Sequence, residues 1–188
     1  MWVGFKILSM ANNKAIFAGG CFWCTESTFA KIPGVLEVFP GYIGDEAYNA
    51  NYEAVSTGMT KHYEAIEVCF DDEQVNYLDL VEAFWREIDP TDPHGQFADK
   101  GPQYKTAIFY LNEEQKEIAE KSKVNLEKSK KFADKTIVTE ILAATNFYVA
   151  EEYHCEYYKK NALHYEMYRK GSGREDFLKK IWGNDCKI

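Results

Sequence analysis

The apolar and polar positions along the chain predict interleaved strands and helices. The apolar run 14–18 reads as a buried strand, and 22–31 follows with a helical pattern that Pro33-Gly34 ends. Residues 35–39 predict a second short strand, and 40–61, rich in Gly, Asn and Tyr without a sustained period, read as one long loop. In 64–70, Ile66, Val68 and Phe70 alternate onto one face; Glu64 stands at the end of that face, and Cys69 falls opposite as a packed thiol. Asn76 is placed to cap a helix reaching Ile88, with Leu78, Val81, Phe84, Trp85 and Ile88 inward. Residues 89–95 break it, a polar loop covers 96–103, and 104–111 predict a strand. Asn112 opens a charged surface helix, 136–142 alternate as a further strand, and 151–160 and 174–182 read as helices separated by the Gly171-Ser172-Gly173 turn.

No internal repeat or linker interrupts this order. It predicts an α+β fold: a two-layer sandwich in which helices pack on a mixed, mainly antiparallel sheet. At 188 residues one domain is expected, with 1–13 as an N-terminal extension, 14–188 as the domain with its C-terminal tail, and Met1 and Met10 both available as starts.

Charge and cysteine usage narrow the partners. A net charge of −8 argues against nucleic acid and anionic membranes. The apolar run at the N-terminus is too short for a signal peptide, and no stretch reaches membrane length. Five cysteines without a regular framework fit intracellular thiol chemistry, so a cytoplasmic protein is expected.

The candidate chemistry centres on Gly19-Gly20-Cys21-Phe22-Trp23-Cys24. A strand, two glycines and a cysteine at a helix start let the backbone turn and a ligand approach, and the helix dipole favours a thiolate there. Phe22 and Trp23 set apolar rings beside that sulfur. As a zinc half-site the C-x-x-C pair lacks a second one, because Cys69, Cys155 and Cys186 are scattered and the four histidines supply no spaced partner; no metal is expected. The pair also suits a dithiol of the thioredoxin kind, or a catalytic thiol with an aromatic pocket. Cys155, in a Tyr-rich helix pattern, is expected to be buried, and Cys186 lies near the chain end. Glu64, at the mouth of an apolar face, is a candidate acid because desolvation raises a carboxyl pKa.

Gly20-Cys21-Phe22-Trp23 resembles the G-C-F-W signature of the peptide methionine sulfoxide reductase A (MsrA) family. The resemblance continues through the Tyr52 segment, through Gly58-Met59-Thr60-Lys61-His62-Tyr63-Glu64, and through Asp89-Pro90-Thr91 with Gly95 to Tyr104. Thr139-Glu140-Ile141 and Phe147 to His154 extend it, so that it covers nearly the whole of 14–183. It implies a single catalytic domain with a ferredoxin-like core that reduces free and peptide-bound methionine-S-sulfoxide and so repairs oxidised proteins. Carried over by position, Cys21 is the nucleophile, passing through a sulfenic acid, and Glu64 the acid. Tyr52 and Tyr104 hold the sulfoxide oxygen, Asp99 supports them, and Phe22 and Trp23 form the methyl pocket. No cofactor is implied beyond an external dithiol, thioredoxin or similar, and a monomer is expected. The chain departs from the better-known members in lacking their cysteines in a Gly-rich tail. The second thiol is then Cys24, Cys186 or an external one, and Cys186 is preferred because a Cys21–Cys24 ring is small and strained. The alternative is a thiol–disulfide oxidoreductase using Cys21 and Cys24 alone, which has no use for Glu64.

Overall fold

The computed structural model describes residues 13–133 and 135–183. The extension 1–12 and Cys186 lie outside the described residues. The chain runs β1 (Asn13–Gly19), α1 (Phe22–Phe29), β2 (Val35–Ile43), α2 (Tyr52–Ser56), β3 (Tyr63–Phe70) and α3 (Tyr77–Trp85). After these come β4 (Gly95–Gln96), β5 (Asp99–Lys100), β6 (Thr106–Tyr110), α4 (Glu113–Lys128), β7 (Glu140–Ala143) and β8 (Phe147–Val149). Three helices close it: α5 (Tyr157–Lys160), α6 (Ala162–Gly171) and α7 (Arg174–Trp182).

Six strands form one sheet in the order β7-β6-β1-β3-β2-β8, antiparallel except for the β6/β7 pair. This is the mixed, mainly antiparallel sheet of an α+β fold. Strand alternation sends Phe17, Ile66, Val68 and Phe70 to one face, where they meet Phe22 and Phe29 of α1 and Leu80, Val81, Phe84 and Trp85 of α3. Phe17 lies 5.1 Å from both the Phe29 and Phe84 rings. Each such fully buried side chain contributes about 1.5–3 kcal/mol. Ile16, Ala18, Ala65, Ala107 and Phe109 form a smaller cluster separate from that core. Cys69 is buried, as its alternation requires.

Asn76 caps α3 as expected: it accepts from the Asp79 N–H while the Asp79 carboxylate accepts from the Asn76 N–H. The inward face, however, runs through Tyr77, Leu80, Val81, Phe84 and Trp85, and Leu78 is exposed. Leu78 falls one position out of phase with that stripe.

Several boundaries differ from the sequence expectation. β2 continues through Pro40 and Gly41 to Ile43, pairing with β3 along its length and with β8 at its end. Pro40 lacks a donor but its carbonyl accepts from the Ala150 N–H at 2.8 Å, so the proline does not end the strand. The remainder of the expected loop contains α2, capped by Asn51, whose side chain accepts from the Ala54 N–H. Tyr104 lies in a 3₁₀ turn, Pro102–Tyr104, ahead of β6. β7 is shorter than 136–142, because Val138 gives its N–H to the Pro90 carbonyl rather than to a strand. Residues 151–156 make turns, Glu156 has φ +52°, and only Tyr157–Lys160 is helical there. Cys155 is accordingly half-buried beside a turn, not packed within a helix. α6 was not foreseen; with α7 it returns the chain to the start of α1.

Candidate active site

Cys21 is the N-cap of α1, with non-helical dihedrals, and is 6% exposed. The turn that places it needs both glycines. Gly20 has φ +84°, and a Cβ there would stand 2.5 Å from the Gln96 Cβ; one on Gly19 would stand 2.5 Å from the Thr25 methyl. Gln96 is itself fixed, exchanging 2.8 Å hydrogen bonds with the Asp89 backbone.

Glu64 reaches this turn from β3. It is 2% exposed, and its carboxyl accepts from the Phe22 N–H at 3.2 Å. Burial pushes its pKa up to about 8, against the lowering effect of the Phe22 N–H and the Tyr104 phenol, and with the Asp99 and Cys24 charges adding to the rise. The carboxyl therefore carries a proton at neutral pH, as its place on the apolar face predicted. Tyr52 opens α2, where its N–H donates to Glu151 Oε1 at 2.8 Å; Glu151 Oε2 accepts from the Tyr42 hydroxyl at 2.8 Å. The Tyr52 and Tyr104 phenols are held protonated by burial, then by the charges of Glu64, Cys21 and Asp99. Asp99, on β5, accepts from the Tyr168 hydroxyl; burial raises its pKa while that hydrogen bond, Arg174 and Lys100 lower it. Cys21, Glu64, Tyr52, Tyr104 and Asp99 thus converge from five separate segments.

The charge of the thiols differs from the sequence expectation. Burial pushes Cys21 well up, and its S–H donates to Cys24. Cys24 moves the other way, to about 7: the Cys21 donor lowers it most, burial opposes, and Arg174 and Arg169 lower it further. The two thiols therefore titrate as one pair, with Cys21 biased toward its protonated form and Cys24 toward its ionised form. The helix start favours a thiolate, but at Cys21 desolvation outweighs it.

Trp23 is half-buried and stacks on Tyr157 at 3.9 Å and 7°, with Tyr168 edge-on at 6.0 Å. Its indole N–H donates to His154 Nδ1 at 3.0 Å. That bond places the imidazole proton on Nε2, which faces Glu151 Oε2 at 4.0 Å, and burial holds the ring neutral. Phe22, by contrast, is 1% exposed and packs between Tyr42 and His154.

Sequence reasoning did not single out Tyr168, or the buried ion cluster of Glu87, Arg169 and Arg174. Arg169 grips both Glu87 carboxylate oxygens, at 3.0 and 3.2 Å, and Arg174 bonds the Glu87 carbonyl at 2.6 Å and the Gly19 carbonyl at 3.2 Å. Their only signal was a pair of arginines in an otherwise lysine-rich C-terminal third. Among the described residues no group of three or more His, Cys, Asp or Glu is arranged to hold a metal, and no helix is long and apolar enough to cross a membrane. A surface cavity of about 610 Å³ lies between α1, β2 and residues 149–160, and Cys21 and Glu64 are not among its lining residues.

A nucleophilic sulfur, a neutral carboxylic acid and two protonated phenols facing one aromatic wall suit a reaction that delivers a proton to an oxygen and a sulfur to its neighbour. Comparison with known proteins agrees with that chemistry. Residues 13–186 match the family described as Peptide methionine sulfoxide reductase. The chain is 51% identical over 171 residues to Peptide methionine sulfoxide reductase MsrA of Halalkalibacterium halodurans, covering 91% of this chain and 97% of that one. It is 50% identical over 176 residues to the MsrA of Bacillus subtilis, covering 94% and 99%. Among solved structures it is similar to reduced Mxr1 from Saccharomyces cerevisiae, with a TM-score of 0.72, 31% identity, and coverage of 80% of this chain and 86% of that one. With the signature cysteine, the acid and the phenols all gathered at one helix start, the chain belongs to the peptide methionine sulfoxide reductase family.

Proposed function

We propose that this methionine sulfoxide reductase acts on the S epimer, free or peptide-bound, through Cys21 and Glu64. The observation that carries the reading is the Phe22 N–H···Glu64 bond, which ties a protonated acid to the first turn of the helix that Cys21 caps. A sulfoxide sulfur is a poor electrophile until its oxygen is protonated. Glu64 donates that proton while the Tyr52 and Tyr104 hydroxyls stabilise the oxygen. Cys21 attacks the sulfur, its own proton passing to the Cys24 sulfur to which it already donates. The oxygen moves to Cys21 as a sulfenic acid and methionine leaves, so the substrate sulfur is reduced as Cys21 is oxidised. Trp23, on the Tyr157 stack, borders the substrate methyl group, with Phe22 as the floor beneath it. Asp99 holds the polar side of the site through Tyr168.

Cys24 is the second thiol in this reading. Cys21 has non-helical dihedrals, which relaxes the ring strain that favoured Cys186, and the two thiols are already in hydrogen-bond contact. An external dithiol, thioredoxin or similar, then restores the pair, with no further cofactor. We read the protein as a cytoplasmic monomer. We read β1-α1-β2-β3-α3-β6 as a ferredoxin-like core, on the support of its β6-β1-β3-β2 order with antiparallel neighbours. A dithiol oxidoreductase reading leaves Glu64, Tyr52 and Tyr104 without a task.

The test is a single turnover of the pre-reduced protein with a racemic methionine sulfoxide peptide and no added reductant, counting methionine formed and thiols lost. Consumption of one epimer with two thiols lost is expected, falling to one thiol in Cys24→Ser. Absence of methionine from the wild type would overturn the proposal.

A further inference from the structure

The buried cluster of Glu87, Arg169 and Arg174 has no part in the steps above, yet it lies directly behind Cys24. Arg174 is 1% exposed and Glu87 2% exposed, and their charges are sequestered from water far from any surface role. Such a cluster carries a large desolvation cost, which the mutual pairing offsets only if each charge is fully engaged. Arg169 is engaged by both Glu87 oxygens, by the Tyr165 hydroxyl at 3.3 Å and by the Cys24 carbonyl at 3.5 Å. Arg174 holds the carbonyl of Gly19, the last residue of β1, and its guanidinium lies over the Phe97 ring at 4.5 Å. Its Nε–H, buried, has no hydrogen-bond partner. Arg169 Nε also meets Glu175 Oε1 at 3.4 Å, but that carboxylate is half-exposed, so among the buried charges two arginines face the single carboxylate of Glu87 beside the Cys24 segment.

We propose that Arg169 and Arg174 are positioning residues that supply the countercharge for a Cys24 thiolate and so make Cys24 the attacking sulfur of the second half-reaction. This rests on the reductase reading and deepens it. In that half-reaction the Cys24 sulfur attacks the sulfur of the Cys21 sulfenic acid. Cys24 gives up the proton it took from Cys21 in the first half-reaction, a sulfur–sulfur bond forms, the sulfur–oxygen bond breaks, and the hydroxide leaves as water with that proton. Cys24 is oxidised and the Cys21 sulfur reduced in this step, so that both end at the disulfide level, one step above the thiols of the reduced enzyme, and the oxygen lost came from the sulfoxide. Attack needs the thiolate. The titratable and charged groups around Cys24 are Cys21, Glu64, Glu87, Tyr165, Tyr168, Arg169 and Arg174, with Glu175 paired to the outer side of Arg169. Of these, only the two arginines and the Cys21 donor favour its ionised form. The placement is economical in sequence terms: α6 and α7 bring both cations from a segment some 145 residues beyond Cys24.

The test uses the full chain, reduced, in wild type, Cys24→Ser, Arg169→Gln and Arg169→Lys. Thiolate absorbance is followed against pH, and second-thiol loss is timed against methionine release. The expected wild-type titration has a midpoint near 7 that Cys24→Ser abolishes. Arg169→Gln moves it up by about one unit and slows second-thiol loss about fivefold at about pH 7, the deficit closing at about pH 9. Arg169→Lys, which keeps the charge, restores most of the shift. An unmoved midpoint in folded Arg169→Gln overturns the proposal. So does a wild type in which Cys24 gives no thiolate below about pH 8, a reading that needs no variant of the cluster to fold. Failure of the reductase reading shows separately, as absence of methionine, while the titration remains readable.

Discussion

The Phe22 backbone N–H points at the Glu64 carboxyl across 3.2 Å, joining the helix that Cys21 caps to the strand that carries the acid. Because α1 and β3 share one core, packing of Phe22, Ile66 and Val68 holds the helix start that Cys21 caps against the strand of Glu64.

Glu64→Gln keeps an acceptor for that N–H and removes the proton donor. Methionine formation in a single turnover is expected to fall by about 10²–10⁴-fold, the usual range for a general acid. An undiminished rate would remove Glu64 from the mechanism.

The same carboxyl sets two pH dependences. Activity is expected to decline as pH rises through about 8, where Glu64 loses its proton. For stability, the folded pKa lies above the ordinary 4.5, so the folded chain binds the extra proton. Stability is then full below that ordinary value and is lost progressively as pH rises toward 8. Asp99, also raised, acts in the same direction. Thermal unfolding should show the wild type losing Tm between these limits and Glu64→Gln losing less.

The Trp23–His154 bond fixes the indole plane against Tyr157. His154→Ala leaves the indole donor without its partner at a cost of about 1–3 kcal/mol. Steady-state kinetics with a sulfoxide peptide should show a raised KM and a smaller change in kcat, whereas Tyr157→Ala, removing the stack, should raise KM in the same sense. Equal losses in kcat and kcat/KM would place these residues in the chemical step instead.

Tyr168→Phe deletes the donor to Asp99 without altering the ring that lies edge-on to Trp23. The freed carboxyl, half-buried and short of a donor, should take up a proton more readily. The alkaline limit of activity is expected to shift less than the rate itself, which falls; a wild-type rate at all pH values would show that Asp99 is held by other means.

Much of this site was readable before any coordinates, for physical reasons that differ by residue. Cys21 was marked by the two glycines, since only a sharp turn with close approach needs them in tandem, and Glu64 by its parity with Ile66 and Val68. Tyr52, Tyr104 and Asp99 had no local signal: each is an ordinary turn or helix-end residue, singled out by resemblance alone. Glu87, Arg169 and Arg174 were illegible because their meaning lies in contacts across more than eighty positions, and local periodicity carries no record of such pairings. The thiolate assignment failed for a related reason. A helix start is visible in sequence, whereas the desolvation that overrides it at Cys21 exists only once α5 to α7 have closed over the turn. The continuation of β2 past Pro40 was hidden because its carbonyl, not its missing N–H, faces the neighbouring segment.

Cys24 is 0% exposed and Cys21 only 6% exposed, so of the two thiols only Cys21 meets solvent. A reductant that attacks the Cys21 sulfur opposite Cys24 must enter through the opening the sulfoxide has just left. Substrate and reductant are therefore rivals for a single entrance and must alternate there. Saturating sulfoxide should consequently retard the enzyme's own regeneration, making the tempo of repair a matter of traffic at that mouth as much as of bond making inside it.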